Sequence, residues 1–237
     1  MRLALLVLLA ACHHDAPAAQ PTPPAPVPQG CQTVPACTAE ADDALSKNDI
    51  PHVLASLNNA CALGDFHSCA REGVYLTTNP QKGGDAQRAI MLLQEACDGD
   101  DALGCEKLAA SQGDQKAAQL YDKACKLGDN NACGLLAPML QHGTGTAVDH
   151  ARAVQLAQQA CDAGAGVGCT ALGESYAEGW NGVTNPAQAT DLFTKSCAMS
   201  DGRGCADLAN LTTDPSAAAK LRAKACANGY QPACPSP

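Results

Sequence analysis

The sequence predicts an all-α protein in which about six pairs of short helices stack into a solenoid stapled by disulfides. Three observations support this fold class. Six cysteine pairs share one spacing, with seven residues between the partners, and they recur every 28 to 36 residues, which is the period of helical repeats. Small residues recur at fixed, helix-like distances from these cysteines. Aromatic residues make up only 3% of the chain, which suits thin apolar layers that stack on one another.

The chain begins with a segment typical of a signal peptide. Arg2 gives a positive start, and residues 3–11 form an apolar run that is too short to span a bilayer. The run ends in Leu-Ala-Ala before Cys12, which resembles a bacterial lipobox, the signal for cleavage before the cysteine and for its acylation. We therefore expect a signal peptide over residues 1–11 and a lipid on Cys12. The alternative is a secretory leader with ordinary cleavage nearby.

Residues 12–30 are predicted to form the lipid-attached cysteine and a linker. Six prolines fall in this segment, and they favour an extended spacer of about 55 Å, at about 3.1 Å per residue. The chain's 15 cysteines persist as disulfides only in an oxidising compartment. We expect the mature chain in the bacterial cell envelope, anchored by its lipid, or secreted. By resemblance to enterobacterial sorting, His13 after Cys12 favours the outer membrane.

Seven cysteine pairs are predicted to form disulfides within the repeat domain, residues 31–237. Six have the shared spacing, and Cys31 with Cys37 forms a contracted pair that starts the first helix. Structural zinc is the alternative, but it prefers cysteines two to four residues apart and gathered in fours. We therefore expect no metal. The six regular pairs are Cys61–Cys69, Cys97–Cys105, Cys125–Cys133, Cys161–Cys169, Cys197–Cys205 and Cys226–Cys234.

The residues around each pair predict two helices that meet at a corner. Alanine in five of six repeats stands eight positions before the first cysteine, and leucine in five of six stands five before it, so both lie on one helical face. Small residues one before and four after the second cysteine predict a second helix that packs closely. The corner itself is predicted from left-handed glycines and from aspartate caps. These residues are Gly64, Gly128, Gly164, Gly229, Asp65, Asp129 and Asp201.

The best-formed repeat resembles the Sel-one-like repeat, a relative of the tetratricopeptide repeat. It contains Leu172-Gly173, Tyr176 and Gly179, followed by Gly182-Val183. With its regular cysteines, the chain is similar to the Helicobacter cysteine-rich proteins over about residues 37–234. Two short repeats lack the loop glycines of the pattern. The resemblance implies a right-handed α-solenoid with a concave face, and a role as an adaptor for other proteins or peptides.

A binding role is the function that the sequence favours. The formal net charge of −9 repels phosphate backbones, so we expect no nucleic acid as a partner. We expect a monomeric envelope lipoprotein that acts as a protein- or peptide-binding scaffold without a cofactor, and whose partner is an unknown envelope protein or peptide. Candidate contacts are Trp180, Tyr176 and Asn181; the alternative for Tyr176 is packing between helices, and for Trp180 covering a helix end.

Two enzymatic activities are the alternatives to binding. Because some cysteine-rich relatives are described as penicillin-binding or weakly β-lactamase-active, the resemblance allows a β-lactamase-like hydrolase. The Ser-x-x-Lys, Ser-Asp-Asn and Lys-Thr-Gly motifs of such enzymes do not occur in the sequence. His52, His67, His142 and His150 are dispersed along the chain and are expected at surfaces or corners. Thiol exchange favours Cys-x-x-Cys, which is also missing. We therefore assign no catalytic residue.

Overall fold

The computed structural model of the chain describes residues 30–79 and 85–235. Within these ranges it contains twelve α-helices, a short 3-10 turn at Gln231–Ala233 and no strand. The predicted all-α, disulfide-joined solenoid is confirmed. The signal peptide, Cys12 and the linker up to residue 29 lie outside the described residues. The helices are α1 Val34–Ser46, α2 Ile50–Ala62, α3 Phe66–Thr78, α4 Ala86–Asp98, α5 Ala102–Ala109, α6 Asp114–Lys126, α7 Asn130–His142, α8 His150–Asp162, α9 Gly166–Glu178, α10 Pro186–Ala198, α11 Gly202–Leu211 and α12 Pro215–Ala227.

The twelve helices form six consecutive pairs, each with an odd-numbered first helix and an even-numbered second helix. Every helix packs on the next one along the chain. Three first helices also touch the first helix of the following pair: α3 touches α5, α7 touches α9 and α9 touches α11. These contacts stack the pairs into one continuous array whose first helices lie side by side. None of the described helices is long and apolar enough to cross a membrane.

Small side chains fill the contact between successive helices, as the sequence predicts. The residue directly before the first cysteine of each regular pair has no exposed surface. It faces the small residue before the second cysteine: a Cβ added to Gly104 would lie 2.6 Å from the Cβ of Ala96. Four residues after the second cysteine, a Cβ on Gly173 would lie 2.6 Å from the ring of Phe193. Larger residues at these positions would push the helices apart.

All seven predicted disulfides are present, with Cα–Cα distances of 4.4 to 5.0 Å. In the regular pairs between helices, the first cysteine lies in the last turn of a second helix and the other lies four residues into the next first helix. Cys31–Cys37 ties the entering chain to α1, and Cys226–Cys234 ties α12 to the 3-10 turn. Each bond therefore joins two segments that are already neighbours in sequence.

The chain leaves each second helix through one residue with a positive φ. Four of the six corners use the predicted glycines, with φ between 86° and 99°. In the other two, Asp100 (φ 60°) and Ser200 (φ 65°) occupy the same position. The geometry is shared because the next amide closes the helix end: Asp201 N donates to Ser196 O at 3.2 Å. The corner thus imposes a left-handed residue whether or not glycine is available.

Aspartate occupies the N-cap position of four of the six first helices and caps three of them, with one departure from the prediction. The carboxylates of Asp129 and Asp201 accept hydrogen bonds from the amides of Ala132 and Gly204. Asp65 occupies the same N-cap position, but its carboxylate accepts from the hydroxyl of Ser68 instead of from a backbone amide. The serine hydroxyl competes for the carboxylate that would otherwise cap the helix.

Candidate binding site between α9 and α11

The structure separates the three residues that the sequence singled out as candidate contacts. Trp180 follows the left-handed Gly179 that ends α9, and its side chain is half-buried at the edge of a cavity. Tyr176 is also half-buried, but it packs against the apolar cluster around Leu172. Asn181 is exposed, and its side-chain oxygen accepts from the amide of Val183 at 3.3 Å. Only Trp180 of the three lines the cavity.

Two of the histidines that are dispersed in the sequence meet at Trp180. The ring of His150, the first residue of α8, stacks on the indole with centroids 5.3 Å apart and planes 11° apart. His142, the last residue of α7, approaches it edge-on, with centroids 5.2 Å apart. His142 lines the cavity together with Trp180. Because His142 ends α7 and His150 begins α8, the connection between these two helices brings both rings to Trp180.

The cavity has a volume of about 510 Å³ and opens between α9 and α11, the first helices of the last two pairs. Its walls combine an aromatic and aliphatic part with a charged part. Phe193 closes it from α10 and is almost fully buried, whereas Leu211 at the end of α11 is 47% exposed. The principal lining side chains are Trp180, Phe193, Leu211, Glu174, Arg203 and Asp207.

Charged side chains from α9 and α11 form the polar wall. Nη2 of Arg203 donates to Oε1 of Glu174 at 2.6 Å, and Nε of Arg203 lies 3.9 Å from Oδ2 of Asp207. This buried Oδ2 atom has no hydrogen-bond partner. Burial raises the pKa of Glu174 to about 7, although the Arg203 charge acts against the rise. Burial also raises the pKa of Asp207. The single guanidinium of Arg203 therefore forms ion pairs with two carboxylates, those of Glu174 and Asp207.

The composition of the cavity suits binding. Among the residues that the structure describes, no serine, threonine or cysteine lines it. What it does offer is the aromatic side chains of Trp180 and Phe193, apolar walls and a surplus of carboxylate over guanidinium. Pockets with apolar walls and a few placed polar groups are the usual form of a ligand site.

Sequence reasoning missed the charged wall because its partners belong to different repeats. Glu174 follows the Leu-Gly pair of one repeat, and Arg203 precedes the second cysteine of the next. A signal did exist in the spacing, because pairs of opposite charge about one repeat apart recur along the chain. Arg71 contacts Asp42, 29 residues away, and Arg152 contacts Asp122, 30 residues away. A search for complementary charges at this distance would have found the pair.

The fold and its repeated corners define the chain as a disulfide-joined α-solenoid of the tetratricopeptide type. The family model described as Sel1 repeat matches residues 60–101, 107–129, 131–164 and 166–201. These matches cover more than half of the chain, so the chain belongs to the Sel1 repeat family, and the resemblance predicted from sequence is confirmed. No protein with a curated description matches the chain in sequence.

The solved structures of a Sel1 repeat protein and of an immunity protein share the fold. A Sel1 repeat protein from Oxalobacter formigenes superposes with a TM-score of 0.68 at 17% identity, over 83% of this chain and 84% of that one. An immunity protein from Pseudomonas aeruginosa gives 0.54 at 19% identity, over 84% and 82%. The cysteine-rich protein B of Helicobacter pylori is 29% identical over 52% of this chain and 97% of that one, with a TM-score of 0.40.

Proposed function

We propose that the chain is an envelope lipoprotein that binds a protein or peptide partner along its row of first helices. Sel1 repeat proteins are scaffolds for protein–protein interaction, and stacked helix pairs present a long surface for this purpose. The single observation that carries the proposal is the cavity between α9 and α11, where Trp180 borders two carboxylates that share one guanidinium. Exposed apolar Leu211 at its rim adds contact area for a partner.

Site-specific crosslinking in cells tests the binding site. A photoreactive residue replaces Asn210, an exposed residue of α11 that lines the cavity. The matched control replaces Thr194, which is exposed on α10 and does not line it. We expect discrete crosslinked partners from position 210 and none of them from position 194. Equal products from both positions, or none from either, would contradict the proposed site.

The envelope location and the lipid anchor form the second part of the proposal. Seven disulfides support a chain that folds in an oxidising compartment. The lipobox-like segment supports acylation of Cys12, and the proline-rich linker would hold the repeats away from the membrane. Metabolic labelling with an alkyne fatty acid should mark the protein, and Cys12→Ser should remove the label. A labelled Cys12→Ser variant would disprove the anchor.

A further inference from the structure

We propose that the cavity between α9 and α11 takes a cationic side chain, lysine or arginine, from the partner polypeptide. The inference rests on the proposed function and adds the chemistry of the ligand. Three features support this inference: the balance of charge in the cavity, a buried acceptor atom without a donor, and the apolar walls that lie beside the charged wall.

The charge balance favours a cation. Three carboxylates line the cavity, those of Glu174, Glu178 and Asp207, against the single guanidinium of Arg203. The N-cap carboxylate of Asp201 adds negative potential at Glu174. An incoming carboxylate would meet this surplus, and Arg203 is the one permanently charged cation among the lining residues that could attract it. An ammonium or guanidinium group would neutralise it, and charge complementarity of this kind selects partners.

The buried acceptor also calls for a donor. Oδ2 of Asp207 has less than 1 Å² of exposed surface and no hydrogen-bond partner, and Nε of Arg203 is 3.9 Å away, beyond hydrogen-bonding distance. A carboxylate oxygen buried without a donor costs free energy. A partner's N–H group bound between Asp207 and Glu174 would form charge-assisted hydrogen bonds, which are among the stronger ones in proteins. A small movement of the Asp207 side chain, which is 27% exposed, would present this oxygen to the cavity.

The apolar walls suit the stem of a long basic side chain. Lysine and arginine carry three or four methylene groups below the charge, and these groups pack on apolar surface. Phe193 and Leu211 supply such surface at the back and the rim of the cavity. Trp180 borders the same space, and an indole attracts a nearby cation through its π electrons. A short polar ligand would leave these walls unused.

Selection from a library of random 12-residue peptides, displayed on beads, tests the inference with the full chain as the bait. We expect the retained peptides to be enriched in lysine and arginine. Peptides retained without that enrichment would overturn the inference and leave the proposed function standing. Retention of no peptide at all would overturn both.

A charge-matched pair of variants sharpens the test on the best retained peptide. Glu174→Gln with Asp207→Asn removes two carboxylates from the cavity. Asp162→Asn with Asp191→Asn removes two exposed carboxylates from α8 and α10. We expect binding to weaken by about tenfold or more in the first variant, because charge-assisted hydrogen bonds are lost, and to change little in the second. Equal weakening would indicate a long-range charge effect and would overturn the inference.

Trp180 provides a local readout, because it is the chain's single tryptophan. Its fluorescence should change on binding of a retained basic peptide, and the change should be lost when the peptide's basic residues are replaced by glutamine.

Binding should strengthen about fivefold from pH 6 to pH 8, because the cation favours ionised Glu174. Two histidines lie close to this site, since His142 lines the cavity and His150 stacks on Trp180, so the pH dependence needs a variant at Glu174 as its control. Glu174→Gln must therefore reduce the dependence; an unchanged pH profile would contradict the assigned role of Glu174.

Discussion

The carboxylate of Glu72 and the guanidinium of Arg88 lie 2.6 Å apart in the core between α3 and α4. Glu72 stands three residues after the second cysteine of its repeat, and its side chain is only 2% exposed. The repeats that follow place a leucine at this position: Leu108, Leu136, Leu172 and Leu208. One carboxylate oxygen of Glu72 is buried without a partner, and burial raises its pKa. An ion pair thus replaces a core leucine in one layer of the stack.

We expect Glu72→Leu to raise the free energy of unfolding by about 1 kcal/mol, because apolar residues in place of a buried ion pair are often stabilising. Arg88 is 45% exposed, so it can remain hydrated when its partner is removed. Urea denaturation of the oxidised protein at pH 8 measures the change. A loss of stability would show that the pair itself stabilises this layer.

Arg88→Ala should act in the opposite direction and lower the free energy of unfolding by about 3 kcal/mol at pH 8, because it leaves Glu72 buried without its cation. Arg71→Ala is the matched control, since it breaks a pair whose partner, Asp42, is 64% exposed. Such surface pairs contribute about 1 kcal/mol or less. Similar losses in both variants would contradict the distinction between the two sites.

The raised pKa of Glu174 makes stability depend on pH with a definite sign. An acid whose pKa rises from 4.5 to about 7 on folding binds its proton more tightly in the folded state. Its contribution to stability is therefore fully present below about pH 4.5 and is lost as the pH rises through 7, by about 3 kcal/mol in total. Glu174→Gln should remove this loss. Between pH 5 and pH 8, the free energy of unfolding of Glu174→Gln should therefore increase relative to that of the parent protein.

Urea denaturation at unit steps of pH measures this difference, with Asp162→Asn/Asp191→Asn as the control for net charge. Both control positions are exposed, so their effect should be small and nearly constant over the range. A flat difference for Glu174→Gln would show that the carboxyl group titrates alike in the folded and unfolded chain.

Ser200 offers a test of the left-handed corner. Its φ of 65° costs a residue with a Cβ about 1 kcal/mol relative to glycine. Ser200→Gly should therefore raise the free energy of unfolding by about that amount, and the melting temperature by about 2 to 4 °C. The reciprocal change, Gly164→Ser, places a Cβ where nothing lies within 4 Å, so it should cost about 1 kcal/mol by backbone strain alone. Asp100 is a poorer choice because it contacts Lys123 at 2.8 Å.

Loss of a central disulfide should lower the free energy of unfolding, and the length of the loop that the bond closes determines the expected amount. Cys161 and Cys169 are eight positions apart, and closing a loop of this size contributes about 2.5 kcal/mol in the chain-entropy model. The double variant Cys161→Ala/Cys169→Ala should lose about this much in denaturation measured without reductant. The pair Cys226→Ala/Cys234→Ala should cost less, since it ties α12 to a short 3-10 turn and not to another described helix, and such a segment can fray alone. Equal losses of stability in the two double variants would argue against separate fraying of the Cys226–Cys234 corner.

The features that follow from local sequence were predictable. Cysteine spacing and the small residues beside it place helix ends, because a corner of two helices is built within about 15 residues. Gly64 predicts a left-handed turn by its chemistry, whereas Ser200 has no such preference and is forced into that conformation by the helices around it. The link from Glu174 to Arg203 was not predicted, because it depends on how one repeat is rotated against the next. Trp180 was predicted as a candidate contact, whereas His142 and His150 were predicted only as surface or corner residues and not as its neighbours.

The order of the cysteines has a consequence for biogenesis. Each of the seven bonds joins a cysteine to the very next one along the described chain, and no bond encloses another. If the chain is exported from its amino end, as the proposed function requires, an oxidant that joins each thiol emerging after Cys12 to the nearest preceding free thiol would yield the native set without reshuffling. This order would reduce the need for a disulfide isomerase, and the corners would mature one at a time during translocation.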